Sequence, residues 1–240
     1  FATPINCRPF EFGADIVTHS TTKYMEGHAS TIGGCIVDSG NFDWTQNDKF
    51  PGLTQPDDSY HGIIYAERGR GAYLLKCVVQ LMRDLGSVQA PQNAFLLNVG
   101  LETLHLRMAR HCENAAAVAK YLQNHPKINW VKCAMLPEDD QYALAQKYMP
   151  TGTCGVVSFG VKGGREAATK FMDSLKLAAA VTQAADARTC VLHPASTTHK
   201  QLSEEALERA GISPTLLRIS AGLEAVEDII EDFEQAFAQI

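Results

Sequence analysis

The residues best suited to chemistry sit in one short run. His19-Ser20-Thr21-Thr22-Lys23-Tyr24 follows an apolar stretch, Ala14-Asp15-Ile16-Val17, so a single lysine lies among hydroxyl residues where a strand is expected to end. A half-buried lysine loses hydration of its ammonium form, its pKa falls, and the neutral amine becomes the nucleophile that Schiff-base chemistry with a carbonyl requires. Ser20 and Thr22, two apart and flanking the approach to Lys23, offer hydroxyl donors. A loop of this kind can also turn backbone amides toward an anion. The run therefore suits a group bearing both an aldehyde and a phosphate. The plain alternative is a solvated surface lysine.

A second candidate is Arg218, set in the apolar run Leu216-Leu217-Arg218-Ile219. A guanidinium in such surroundings needs a carboxylate for its forked donors, either Glu224 of the same chain or the carboxylate of a ligand. His193 and His199 flank Pro194 and read as turn-capping residues rather than catalysts. The seven cysteines are scattered, with no CxxC pair, which argues against a zinc site and against a disulfide framework and suits reduced thiols in a cytosol.

The lysine run must be held by something, and the pattern around it is that of an α/β protein. Short β-rich runs at 14–18 and 31–38 place Lys23 on a turn between two strands. Residues 41–60 are polar, with Pro51, Gly52 and Pro56, and predict a loop or lid rather than core. Helical spacing runs from Ala72 to the stop at Gly86. A longer helical pattern runs from Pro91 to Leu122, either unbroken or split at Gly100. Strand and helix signals then alternate through 128–133, 141–149, 155–161, 164–176 and 216–220. The last helix places Glu224, Glu227 and Asp228 at its start, where the macrodipole favours anions, and Val226, Ile229, Ile230, Phe233 and Phe237 on one face.

A chain of 240 residues can bury a sizeable core, and its composition, 45% apolar and 20% charged, is that of ordinary globular proteins. The net charge of −6, without a cluster of Lys and Arg, argues against a nucleic-acid partner, and no apolar run is long enough to span a membrane.

The run Asp15-Ile16 through Ser20-Thr21-Thr22-Lys23-Tyr24-Met25 to Gly27-His28 resembles the pyridoxal-phosphate lysine signature of the Cys/Met-metabolism enzymes, the trans-sulfuration family. Four further blocks resemble that family in its order: Phe1-Ala2-Thr3-Pro4 with Cys7-Arg8-Pro9, Arg107-Met108 through His111 to Ala115, His193 through His199, and Leu217 through Glu224. The resemblance implies a fold type I, aspartate-aminotransferase-like enzyme. Residues 1–105 would close the large cofactor domain and 106–240 would form the smaller substrate domain. It implies pyridoxal 5′-phosphate as cofactor, Lys23 as the Schiff-base lysine and later the catalytic base, Ser20 and Thr22 on the phosphate, and Arg218 on the substrate carboxylate. No metal is implied.

In that family the Asp facing the pyridine nitrogen and the stacking aromatic lie upstream of the Phe-Ala-Thr-Pro stretch. An N-terminal segment of the same enzyme is therefore an expected partner, and the 240 residues alone are expected to be incomplete as a catalyst. A cytoplasmic homo-oligomer, dimer or tetramer, is implied as well. Two features resemble the O-acetylhomoserine sulfhydrylases within the family: the polar insertion from Phe42 to Gly62, and Thr182-Gln183-Ala184-Ala185-Asp186 in place of the Ser-Leu-Gly of the lyases. Gln183, standing where that branch carries Asn, is a candidate for the substrate carboxylate. The activity implied is γ-replacement, O-acetyl-L-homoserine plus sulfide to L-homocysteine plus acetate. Methionine γ-lyase or cystathionine γ-synthase or lyase activity is the alternative, as is a non-catalytic fragment or oligomerisation domain. Glu26 and Ala29 depart from the family pattern.

Overall fold

The computed structural model describes residues 1–240. The chain packs as two compact sets of residues: Phe1–Cys7 with Thr22–Thr31 and Leu96–Ile240, and Arg8–Thr21 with Ile32–Phe95.

In the smaller set, β1 (Ile16–Ser20) pairs antiparallel with β2 (Gly34–Asp38), in register from Ile16 opposite Asp38 to Ser20 opposite Gly34. The chain between them makes the excursion that carries Lys23. Helix α1 (Ala72–Lys76) continues through a π-helical stretch, Cys77–Met82, and a last turn, Arg83–Leu85, before Gly86 ends it at φ +67°, the left-handed conformation glycine adopts without a Cβ penalty. The polar segment 41–60 is more than a cover, since it contributes to a small core of its own. Leu53, Tyr65 and Ala72 are buried together, and Trp44 stacks on Tyr73 with ring centroids 5.6 Å apart. Its scattered aromatics have no helical or strand period, so the pattern reads as loop.

Helix α2 (Pro91–Glu102), which enters the larger set at Leu96, and helix α3 (Leu104–Gln123) are broken at Thr103 rather than Gly100. Gly100 stays helical because its missing side chain is needed for packing: a Cβ there would collide with the Glu26 carbonyl. The sheet has the order β3-β4-β7-β6-β5, with β3 (Ile128–Lys132), β4 (Val156–Val161), β5 (Ala179–Ala180), β6 (Cys190–Leu192) and β7 (Leu216–Ser220). All pairs are antiparallel except β5 with β6.

Helices α4 (Tyr142–Tyr148), α5 (Gly164–Asp173), α6 (Glu204–Arg209) and α7 (Val226–Phe237) complete the chain. Helices α3, α5 and α7 bury Val118, Leu122, Phe171, Ile229, Phe233 and Phe237 against Val157, Phe159, Leu217 and Ile219 of β4 and β7. The period of two along β7 sends Leu217 and Ile219 into this core and leaves Arg218 and Ser220 on the opposite face. That face meets the Lys23 turn. No helix is long and apolar enough to cross a membrane, and all seven cysteines are free thiols.

Candidate active site

Lys23 is half-buried, and its Nζ donates to Gln183 Oε1 at 3.1 Å, across 160 residues of sequence. Burial first, and then the positive charge of Arg218, hold its pKa below the ordinary lysine value. The amine is thus biased toward the neutral form that attacks a carbonyl.

Arg218 donates through Nη2 to the carbonyl oxygens of Thr182, at 3.1 Å, and Gln183, at 3.5 Å. Its Nε is buried and has no acceptor. Glu224 is not its partner: both Glu224 carboxylate oxygens are engaged by Thr189, from the backbone N–H at 2.7 Å and the hydroxyl at 2.9 Å. Helix-start and strand-end residues close in sequence thus separate in space. Burial lowers the pKa of the guanidinium, and no carboxylate of the chain opposes that shift. A buried donor left without an acceptor costs about 1–3 kcal/mol, a cost that an acceptor meeting this edge of Arg218 would remove.

The structure therefore brings Lys23, Gln183 and Arg218 together. Gln183 is fixed by its loop, where the Ala185 N–H donates to Ser220 Oγ at 2.7 Å and Ala185 itself takes φ +67°. Thr22 is half-buried in the turn beside Lys23. Ser20 is exposed at the last position of β1, three residues before the lysine. His193 is fully buried and bonds Ser196 Oγ at 2.7 Å and the Pro214 carbonyl at 2.8 Å, a turn-holding role. His199 is paired with the neighbouring Thr198 hydroxyl at 2.8 Å.

Two residues that the sequence left without a role prove central. Tyr24 is fully buried, and its hydroxyl accepts from the Gly155 N–H at 2.9 Å; burial drives its pKa upward, so it stays a neutral phenol. Arg107, also buried, reaches the carbonyls of the turn that follows Lys23. The signal for both was the apolar surroundings of a polar side chain, which says that a partner exists without saying where.

The chain matches the family model of the Cys/Met metabolism PLP-dependent enzymes over residues 1–238. It is 49% identical over 231 residues to the homocysteine synthase of Schizosaccharomyces pombe, an alignment covering 95% of this chain and 54% of that protein. It is 45% identical to the O-acetyl-L-homoserine sulfhydrylase of Leptospira meyeri, covering 99% of this chain and 56% of that one. Among solved structures, a Campylobacter jejuni protein described as an O-acetylhomoserine (thiol)-lyase superposes with a TM-score of 0.94 at 37% identity, over 99% of this chain and 57% of its own. That crystal structure carries a pyridoxyl-lysine monophosphate. The chain spans about half the length of the curated relatives it matches. With the family model matched almost from end to end and identities that extend through both sets of residues, the chain belongs to the Cys/Met metabolism PLP-dependent enzymes.

Proposed function

We propose that the chain carries the reactive lysine and the substrate-carboxylate site of an enzyme that converts O-acetyl-L-homoserine and sulfide to L-homocysteine and acetate. The observation that carries this reading is the meeting of a lysine biased toward its neutral form with the acceptor-free Nε of Arg218, in a chain whose relatives are named for that reaction.

The residues fit a phosphate-bearing aldehyde. An amine condenses with a carbonyl only when unprotonated, and burial and then Arg218 bias Lys23 toward that form. When bound, pyridoxal phosphate supplies a conjugated ring that takes up the electron pair released as a proton leaves the substrate's α carbon. Lys23 would be the base that accepts protons at the substrate's α and β carbons and returns them, as acetate leaves the γ carbon and sulfide adds there. Arg218 receives the substrate carboxylate on the edge whose Nε lacks an acceptor, and Gln183 holds the lysine amine in line. Ser20 and Thr22 donate to the phosphate. In this reading residues 1–105 belong to the cofactor domain and 106–240 to the substrate domain. In this reading the protein works in the cytoplasm as a homo-oligomer of two or four subunits.

The test is a sulfide-dependent homocysteine assay on the complete protein with O-acetyl-L-homoserine. Homocysteine formation supports the reading; 2-oxobutanoate and ammonia without homocysteine would replace it with a γ-lyase. Borohydride reduction followed by peptide mass analysis tests the lysine separately, since a phosphopyridoxyl adduct is expected on Lys23 and nowhere else.

A further inference from the structure

Arg107 lies in the first turn of α3, where its chain neighbours give no hint of a partner. Its guanidinium is buried, yet no carboxylate lies within ion-pair distance. Backbone oxygens surround it instead. Nη1 donates to the Tyr24 carbonyl at 2.8 Å, Nη2 to the Gly100 carbonyl at 2.6 Å and to that of Met25 at 3.5 Å, and Nε to Thr103 Oγ1 at 3.1 Å. Two of the three carbonyls belong to the residues that immediately follow Lys23.

The turn is shaped to admit this side chain. The Gly27 N–H donates to the Lys23 carbonyl at 2.8 Å, closing a turn around the guanidinium. Gly27 takes φ +81°, and a Cβ there would run into Arg107 Nη1. The far wall is the backbone of α2, which approaches so closely at Gly100 that a Cβ would meet the Glu26 carbonyl. Glu26 supplies the compensating charge. Its buried carboxylate accepts from Ser30 Oγ at 2.7 Å and from the backbone N–H groups of His28, at 3.1 Å, and Ser30, at 3.2 Å. Burial works against its charge, but these bonds outweigh burial and bring its pKa below the ordinary carboxylate value. The attraction of Glu26 in turn opposes the desolvation of Arg107. Lysine could not replace this arrangement, because a compact ammonium cannot fork to carbonyls on two different segments.

We infer that Arg107 is a positioning residue for Lys23: by clamping the Tyr24 and Met25 carbonyls to α2, it holds the lysine amine inside the site, facing Gln183 and Arg218. Neither Arg107 nor Glu26 touches the reacting atoms. Their action is on where the amine sits, and so on how dry it is. The inference deepens the reading of Lys23 as the cofactor lysine, and its test is independent of that reading.

The experiment is competitive labelling of lysines with trace acetic anhydride across pH, read by peptide mass, on the complete protein freed of carbonyl cofactor. In the parent protein Lys23 should label with a midpoint below that of the other lysines. In Arg107→Lys the turn loosens, the amine swings toward water, and its labelling at pH 8 should fall by about tenfold relative to the other lysines, the equivalent of one pKa unit. Thr103→Val removes only the Nε acceptor at an exposed position and should shift the Lys23 profile in the same direction by less. A role in folding alone would lower the melting temperature and leave the relative reactivity of Lys23 untouched. An unchanged Lys23 profile in Thr103→Val and in folded Arg107→Lys overturns the inference, and if Arg107→Lys does not fold, Thr103→Val decides alone. Absence of a borohydride adduct would instead strike the cofactor reading, which the labelling profile does not depend on.

Discussion

Gln183 accepts a hydrogen bond from the very amine that the site must keep reactive, Lys23 Nζ at 3.1 Å. A neutral amide oxygen orients that amine without stabilising its charged form as a carboxylate would. Gln183→Glu places a negative charge against Lys23, and an opposite charge at this range moves a pKa by about 1–3 units toward the charged form. The expected outcome is a rise in the Lys23 pKa and condensation with added pyridoxal phosphate at least about tenfold slower at pH 8. The imine absorbance against pH measures it, and an unshifted profile would remove Gln183 from the account.

Arg218 has a buried Nε without an acceptor beside an Nη2 already committed to the Thr182 carbonyl. Arg218→Lys keeps the charge and loses the fork. A charge-assisted hydrogen bond contributes about 1.5–3 kcal/mol, so KM for the amino-acid substrate should rise by roughly 10- to 150-fold with a smaller change in kcat. A fall in kcat at constant KM would mean that Arg218 acts on the chemistry and not on the carboxylate.

Much of this was legible in local sequence. The lysine between two strands, the apolar face of α7 and the glycine stop at Gly86 all follow from spacing within a dozen residues. What escaped is non-local. Gln183 meets Lys23 across 160 residues, and Arg107 meets the Tyr24 carbonyl across 83, so composition could flag the buried polar groups but not join them. Glu224 was the nearest acid to Arg218 in sequence, yet the end of β7 turns it to Thr189. Helix α6 was missed although its signal was present, for Ser203 caps Ala206 N–H ahead of Glu204 and Glu205.

Ala29 departs from the family pattern, and the backbone shows the consequence. It is exposed at φ +55°, a conformation that costs a residue with a Cβ about 1–2 kcal/mol relative to glycine. Since no buried methyl is lost, Ala29→Gly should stabilise the protein, by about 1 kcal/mol after the extra freedom of glycine in the unfolded chain is subtracted. Urea unfolding reads the difference, and a destabilised variant contradicts it.

Asp57 ties the polar segment to α1. Its carboxylate accepts from the Ser59 hydroxyl at 2.6 Å and N–H at 3.0 Å, and from Lys76 Nζ at 3.1 Å. The Ser59 hydroxyl first, then Lys76, lower its pKa to about 2. A carboxylate depressed in the folded state stabilises above its unfolded pKa, about 3.9, and loses that contribution as pH falls through the folded value. Asp57→Asn should therefore be less stable than the parent at neutral pH, with the gap closing between about pH 4 and pH 2. Stability against denaturant measured across that window checks the sign.

Tyr24 carries the last prediction. It follows Lys23 directly, so a shift of its ring moves the lysine backbone. The ring is fully buried, lies 4.8 Å from that of His111, and its hydroxyl accepts from the Gly155 N–H ahead of β4. His111 is fixed in turn, Nδ1 donating to the Ala221 carbonyl at 2.7 Å, and burial lowers its pKa, so the pair packs as two neutral rings. Tyr24→Phe keeps the volume and leaves the Gly155 N–H without its acceptor in a dry environment. Such a loss costs about 1–3 kcal/mol. The variant should still fold, melt lower by an amount matching that range, and lose protection at the Gly155 amide as water reaches the N–H that the hydroxyl had covered. Hydrogen exchange at Gly155 separates the cases: exchange at the rate of global unfolding means the amide found another partner, and faster exchange means the Tyr24 hydroxyl was what held the lysine turn to the sheet.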